Sequence, residues 1–249
     1  MTTTTNFKIK IEYDGTLFSG WQIQKNKKTV QGEIEKTLSH ILNQKIKING
    51  SGRTDAGVHA LGQVANFHAN TLINYFDLKK GFNSIIKYPI VIRELYKVDF
   101  DFHARYHAVS KEYHYNILNR IDPPAISKNY FWHIKNKLDL KKMNQCCNLI
   151  QGNHDFKSFE ASGSPKSSTI RKIFFVKIEQ KDKDKLVFKI KGNGFLRFMV
   201  RNIVGTIILV GKSKINSNDF EKIFKAKNRN LAGPTAPPHG LFLVQVNYS

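Results

Sequence analysis

The chain has 249 residues, enough for one large or two small domains, and 41% of them are hydrophobic, as is ordinary for a globular protein. Forty Lys and Arg against 19 Asp and Glu leave a formal charge of +21, which indicates a polyanionic partner such as nucleic acid. The longest apolar run, residues 203–210, is too short for a membrane span, and Met1–Thr5 lacks signal-peptide features. The only cysteines, Cys146 and Cys147, are adjacent, which disfavours a disulfide or zinc site and predicts a reducing cytoplasm.

Hydrophobic periodicity predicts four strands, a helix and an amphipathic stretch in the first part of the chain. Residues 6–14 alternate apolar with polar and predict a strand. Thr29 is placed to cap a helix with apolar residues at Val30, Ile34 and Leu38, and residues 45–50 are expected to return as a strand. Further elements follow in order: a strand at 63–68, an amphipathic stretch at 76–86 and a strand at 90–98.

A second set of elements begins near Lys111. Tyr113, Tyr115 and Ile117 lie on one face of a predicted strand, and Asp139 is placed to cap a helix with Cys147 in its buried stripe. The remaining predictions are a hairpin of 171–180 and 186–191, helices at 196–210 and 217–225, a strand at 241–246, and mobile loops at 161–168 and 232–240.

The element pattern predicts an α+β fold of two similar-sized lobes, with antiparallel sheets flanked by helices. The predicted lobes are residues 1–107 and 108–249, with a hinge at 99–109 between the two sets of elements.

The stretch GSGRTDAGVH, residues 50–59, places three glycines around a carboxylate. Glycines permit a tight turn and close approach of a ligand, and Arg53 is near enough to hold Asp55 ionised. An ionised, oriented Asp55 is a potential nucleophile or base. The alternative is a surface turn with a local Arg–Asp pair, and spacing alone does not decide between them.

Two histidines, His103 and His107, lie four residues apart, as metal ligands on a helix do. No third ligand or metalloprotease glutamate is nearby, so a phosphate contact or a plain surface position is the better interpretation. The low count of acidic residues also disfavours a metal-dependent nuclease.

Aromatic and basic residues coincide at two further places. Tyr113 and Tyr115 lie beside Lys111, a composition that suits base stacking but equally suits a core-facing strand. Arg201 interrupts an apolar helix, where it either meets an anion or extends to solvent.

The string GSGRTDAGVHALGQVANF, residues 50–67, closely resembles the active-site motif of the tRNA pseudouridine synthase A family. Four more blocks resemble the family's in the same order: YDGTLFSGWQIQ, DFHARYHAVSKEYHY, FMVRNIVG and GLFLVQVNY. Together they cover essentially the whole chain. Glu112 and His114 beside Tyr113, and Phe198 in place of a frequent histidine, depart from the pattern.

The resemblance implies isomerisation of uridine to pseudouridine at positions 38, 39 and 40 of the tRNA anticodon arm, without metal or cofactor. Asp55 matches the catalytic aspartate and Tyr113 the active-site tyrosine, which stacks on the base; Tyr115 is expected to be structural. Arg201 matches a buried arginine that we expect to pair with Asp55, while Arg53 is expected to contact the RNA backbone. The opposite assignment of these two roles to Arg53 and Arg201 stays open. The family also implies RRM-like lobes, a basic cleft between them and a homodimer.

The main alternative is a non-catalytic tRNA-binding or RNA-chaperone protein of the same fold. Such a protein shares the charge and the aromatic residues but does not need Asp55. The presence of Arg53, Asp55, Tyr113 and Arg201 together favours the enzyme.

Overall fold

A computed structural model describes residues 4–161 and 168–249 of the chain. The chain divides into two compact units, which we call unit 1 (Met1–Val109 with Phe242–Ser249) and unit 2 (Ser110–Leu241). The sequence analysis places the final strand in the second lobe, but it pairs in parallel with a strand of unit 1, opposite His59 and Ala60. A parallel partner lies across a long connection, so no local pattern reveals it.

Unit 1 is built from strands, two helices and the C-terminal strand. Its elements are β1 (Thr5–Tyr13), α1 (Val30–Leu42), β2 (Asn49–Gly50), β3 (His59–Ala69), α2 (Tyr75–Ile85) and β4 (Ile90–Val98), joined by β10 (Leu241–Tyr248). The strand order is β4-β1-β3-β10, and β2 pairs with β3. On β1 and β3, Phe7 stacks on Phe67 at 5.3 Å between ring centroids and forms part of the buried core.

The periodicity predicts most of unit 1 correctly, with one error at residues 45–50. The Thr29 side chain accepts a hydrogen bond from the Gly32 N–H, which confirms the predicted cap of α1. The predicted strand at 45–50 is wrong apart from β2, because side chains of α1 bind its backbone: Ile46 N–H donates to Ser39 Oγ at 2.9 Å and Ile48 N–H to Glu35 Oε1 at 3.0 Å.

Unit 2 combines a second set of strands with three helices. Its elements are β5 (Ala108–Asn119), β6 (Trp132–Ile134), α3 (Leu140–Ile150), β7 (Gly152–Asp155), β8 (Ile170–Asp182), β9 (Lys185–Gly192), α4 (Met199–Gly211) and α5 (Ser217–Lys225). The strand order is β5-β9-β8-β7, and β6 pairs with β5. Both cysteines are buried in the apolar face of α3.

The hairpin β8–β9 and the helix α5 confirm their predictions, and Asn216 and Asp219 form a capping box at the start of α5. The prediction of purely antiparallel sheets is wrong, because β6 runs parallel to β5 as β10 does to β3. Helix α4 begins three residues later than predicted because Phe198 adopts a left-handed conformation (φ 63°). Most of the predicted loop at 161–168 lies outside the described residues.

Within the described residues, no helix is both long and apolar enough to cross a membrane.

Candidate active site

The loop between β2 and β3 carries Asp55 on an ordered turn of unit 1. The Thr54 carbonyl accepts a hydrogen bond from Trp21 N–H at 3.1 Å, and the Thr54 hydroxyl lies 2.8 Å from the Tyr13 hydroxyl. Val58 N–H donates to the Asp55 carbonyl at 3.2 Å, which closes the turn. Asp55 is half-buried at this position. Hydrogen bonds on both sides of Asp55 therefore fix the position of its backbone, from which the carboxylate side chain extends.

A close backbone approach fixes the turn further. Gly20 has φ +91°, and a Cβ there would lie 2.7 Å from the Thr54 carbonyl oxygen and 3.1 Å from the Asp55 carbonyl carbon. Gly57 has φ +76°, and its N–H points to the Phe18 carbonyl at 3.4 Å. Only glycine combines a positive φ with so little space. The segment around Gly20 thus packs directly against the Asp55 peptide.

A buried amide anchors the start of the loop. Ser51 Oγ donates to Gln63 Oε1 at 2.7 Å, and Gln63 Nε2 donates to the Gly52 carbonyl at 2.9 Å. Gln63 also accepts from the Val64 N–H at 3.1 Å, and it is fully buried on β3. Gln63 is not among the site residues predicted from the sequence. A polar residue at a core position of a predicted strand was the signal available for it.

Arg53 lies on the same loop as Asp55, and its side chain is exposed.

Tyr13 supports the loop from inside unit 1. Burial raises the pKa of the Tyr13 hydroxyl well above its usual value, so this phenol stays neutral and forms a hydrogen bond with the Thr54 hydroxyl. The loop therefore presents a guanidinium outward and a carboxylate in a more enclosed position.

Tyr113 and Arg201 belong to unit 2. Tyr113 lies on β5 with only 7% of its surface exposed, and its ring meets Phe195 edge-on at 5.1 Å between centroids. Arg201 lies on α4, where its Nε donates to the Ala236 carbonyl at 2.8 Å and its Cζ lies 4.9 Å from the centre of the Phe198 ring. One hydrogen bond and one cation–π contact thus fix the orientation of the Arg201 guanidinium.

Arg229 binds the backbone of the loop at 232–240, which the sequence predicts to be mobile. Arg229 Nη1 donates to the Ala232 and Gly233 carbonyls at 3.2 and 3.0 Å. Its Nη2 donates to Asn202 Oδ1 and Thr235 Oγ1, both at 3.1 Å. Arg229 is not among the site residues predicted from the sequence, since nothing in the residues around it indicates four acceptors from two segments of the chain.

An open pocket of about 490 Å³ lies at the start of α4. It is lined by Ala161, Arg197, Phe198, Arg229, Asn230 and Thr235. Because Arg229 is committed to its four acceptors, Arg197 is the cation of this lining that stays exposed. This combination of one ring and one exposed guanidinium suits an anionic or aromatic group.

Tyr115 is structural, as the sequence analysis expects. Its side chain is fully buried, and its hydroxyl donates to the Pro237 carbonyl at 2.7 Å. Burial raises the pKa of Tyr115 far above its usual value, although the positive charge of Arg201 opposes the shift. A Cβ at Gly240 would lie 2.7 Å from the Tyr115 ring, so the two residues are closely packed. This phenol therefore stays neutral, and its hydroxyl is engaged by the Pro237 carbonyl.

The candidate residues thus fall into two groups, each positioned by its own unit. Unit 1 supplies a carboxylate on a pinned turn and an exposed guanidinium, and unit 2 supplies a nearly buried phenol ring and an oriented guanidinium. A carboxylate, a phenol ring and guanidinium groups are side chains of the types that chemistry on an extruded nucleobase uses.

Comparison with known proteins identifies the class. A family model described as tRNA pseudouridine synthase matches residues 9–107 and 146–249. The chain belongs to the tRNA pseudouridine synthase family. Such enzymes are isomerases, because uridine and pseudouridine contain the same atoms.

The similar curated proteins are more particular. The chain is 44% identical to the tRNA pseudouridine synthase A of Acetivibrio thermocellus over 243 residues, covering 98% of this chain and 99% of that protein. It is 43% identical to tRNA pseudouridine synthase A 1 of Desulfotalea psychrophila, again over 98% and 99% of the two chains. Identity to the Coxiella burnetii tRNA pseudouridine synthase A is 40%, over 96% and 91%. The resemblance found in the sequence blocks is thereby confirmed.

Among solved structures, the archaeal box H/ACA sRNP Nop10–Cbf5 complex matches with a TM-score of 0.36 and 11% identity, over 90% of this chain and 59% of that chain.

Proposed function

We propose that this chain converts uridine to pseudouridine at positions 38, 39 and 40 of the tRNA anticodon arm, with Asp55 as the essential nucleophilic carboxylate. The observation that carries the proposal is the Asp55 turn, which is pinned by Trp21, Tyr13 and Val58. Rigid support of a reacting group is what a catalytic carboxylate requires.

The reaction makes modest demands on the protein. The N1–C1′ bond breaks, the uracil turns, and C5 joins C1′; the C5 proton is released and N1 takes up a proton. No electrons are gained or lost, so the chemistry calls for a carboxylate, a proton acceptor and a pocket for an extruded base. Three first steps are compatible with Asp55: addition to C1′, addition to C6, or removal of the C2′ proton.

The other site residues bind the substrate. Tyr113 stacks on the target base, and its phenol is the candidate acceptor of the C5 proton. A phenol with an ordinary pKa near 10 is a weak base at neutral pH, so this transfer relies on an acidified carbon or a water relay. Arg53 and Arg201 contact the RNA and the reacting region as cations, consistent with the exposure of the first and the fixed orientation of the second.

Several features support tRNA as the partner. A charge of +21 suits a polyanion contacted at many phosphates. The proposal includes RRM-like lobes with a basic cleft, and unit 1 supports it with a β-α-β-β-α-β order along the chain, in which β3 pairs with both β1 and β2. It also includes a homodimer in the cytoplasm, where two buried free cysteines stay reduced.

The test is tritium release from tRNA labelled at uridine C5, followed by mapping of the modified positions. We expect release by the wild type and none by Asp55→Asn, whereas tRNA binding is largely kept, since one carboxylate contributes little to an interface of many phosphate contacts. Asp122→Asn, which changes an exposed carboxylate, is the matched control and is expected to release tritium as the wild type does.

Two outcomes would contradict the proposal. Full activity of Asp55→Asn would remove the carboxylate from the mechanism. A folded wild type that binds tRNA but releases no tritium would favour the non-catalytic binding protein instead.

A further inference from the structure

The segment of residues 99–107 holds the two histidines that the sequence analysis left without a role. It lies on unit 1 and is bound by an asparagine pair on β1 and β3. Asn6 Nδ2 and Asn66 Nδ2 both donate to the Phe102 carbonyl, at 2.9 and 3.1 Å. Asn66 Oδ1 accepts from the Ala104 N–H at 2.9 Å. These asparagines alternate with Phe7 and Phe67, so they lie on the opposite face of the sheet from that aromatic pair.

The C-terminal strand holds the same segment. The Tyr248 hydroxyl donates to the Ala104 carbonyl at 2.7 Å, and Ala104 is fully buried. Both backbone groups of Ala104 are thus satisfied by side chains from two different strands. Arg105 and Tyr106 therefore follow a residue whose backbone position is fixed.

His103 and His107 shape the turn by binding its backbone. His103 Nδ1 accepts from Arg105 N–H at 3.1 Å, and His107 Nδ1 accepts, over a longer 3.4 Å, from His103 N–H. The His107 N–H donates to the His103 carbonyl at 3.1 Å, which closes the loop. Burial lowers the pKa of His103, which favours the neutral ring that an accepting Nδ1 requires. The histidine spacing is thereby explained as turn architecture.

The turn presents Arg105 and Tyr106 to solvent. Tyr106 is 73% exposed, although its ring is large and apolar. The His103 ring lies 4.3 Å from it, and the Arg105 Cζ lies 5.7 Å from its centre. An exposed ring on a rigid turn loses little conformational entropy on binding, and an adjacent guanidinium adds a phosphate contact.

We infer that Tyr106 and Arg105 form an RNA contact site on unit 1, with Tyr106 stacking on an unpaired base and Arg105 binding a neighbouring phosphate. This inference rests on the proposed tRNA substrate. The site is separate from the Asp55 turn in the chain, and it contributes affinity rather than chemistry. Aromatic stacking beside positive charge is how proteins commonly hold single-stranded RNA.

A second exposed ring on the same segment provides the control. Phe100 is 67% exposed, but it lies between two exposed carboxylates, Asp99 and Asp101, which repel a phosphate backbone. The two rings are similarly exposed but differ in the charge beside them, so only the Tyr106 ring is expected to contribute to RNA binding. The two positions separate a specific stacking site from a general effect of apolar surface.

The experiment measures the dissociation constant of an unmodified tRNA transcript for the full-length protein at several salt concentrations. We expect Tyr106→Ala to weaken binding about tenfold and Tyr106→Phe to restore it, since a phenyl ring stacks as well. Arg105→Ala is expected to weaken binding and to reduce the slope of log affinity against log salt by about one. Phe100→Ala is expected to bind as the wild type does.

Wild-type affinity in Tyr106→Ala, or equal loss in Phe100→Ala, would overturn the inference. Sedimentation of Tyr106→Ala as a smaller species than the wild type would also overturn it, because the surface then contacts a second copy. Tritium release by the wild type tests the proposed function separately. Release together with normal binding by Tyr106→Ala refutes only this site, and Tyr106-dependent binding without release refutes only the enzyme.

Discussion

Replacing Gly20 by alanine tests whether the approach of its backbone positions Asp55. At φ +91° a side chain is strained by about 1–3 kcal/mol. The added Cβ would also lie 2.7 Å from the Thr54 carbonyl oxygen, so one of the two backbones must move about 0.7 Å to reach ordinary contact at 3.4 Å. Together these effects are expected to destabilise the protein by about 2–4 kcal/mol, lowering the melting temperature by about 5–10 °C.

The same movement is expected to reduce the rate of isomerisation. A misplacement of about 1 Å costs roughly 100-fold in rate, so we expect Gly20→Ala to release tritium about 10- to 100-fold more slowly with enzyme in excess over tRNA. The assay is run well below the melting temperature, so that folded protein is compared with folded protein.

Gly81→Ala is the matched control, because it adds the same methyl group where nothing lies within 4 Å. Gly81 is inside α2, where alanine is favoured over glycine by about 1 kcal/mol, so this variant is expected to melt slightly higher and react as the wild type does. A Gly20→Ala protein that melts lower but reacts at the wild-type rate would refute the link between this contact and Asp55.

Two further predictions concern unit 2. Partial burial would raise the pKa of Asp155, but the Thr169 hydroxyl and the Lys227 ammonium, 3.0 Å away, lower it below its usual value. Its stabilising effect is therefore present above about pH 4 and lost as the pH falls through the lowered pKa. Between neutral pH and about pH 3, the melting temperature is expected to fall less steeply for Asp155→Asn than for the wild type. Equal slopes of melting temperature against pH would contradict this. Burial raises the pKa of the Cys146 thiol to about 12 and also raises that of Cys147. Iodoacetamide at pH 8 is therefore expected to label neither cysteine until guanidinium unfolds the chain. Labelling of the native protein would contradict this.

The short-range patterns of the sequence predicted much of the fold. The alternation along β1, the position of the strand β4, and the caps Thr29 and Asp139 of α1 and α3 depend on residues a few positions apart, and all four agree with the structure. The resemblance of residues 50–67 likewise identified the family without any coordinates. Periodicity and capping can be recognised in the sequence because they depend only on local geometry.

Side chains that bind distant backbone were not predictable. Asn83 on α2 donates to and accepts from Ile92 on β4 at 2.9 and 2.8 Å. Asn144 on α3 does the same for Ile178 on β8, at 2.9 and 3.0 Å. Each amide binds both the N–H and the carbonyl of a strand residue, so these backbone groups are not left open for association. In the sequence, both asparagines are ordinary polar residues of a helix.

The sequence by itself determined the helices, most strands and the family, because hydrophobic period and capping are properties of neighbouring residues. Only the tertiary structure decided that β10 returns to unit 1, that residues 45–50 bind α1 instead of forming a long strand, and that Gln63 and Arg229 support the two site segments. These features depend on which buried polar groups meet across long stretches of chain. Their partners are chosen by the requirement that buried donors and acceptors be paired, and that requirement is met only in the folded molecule.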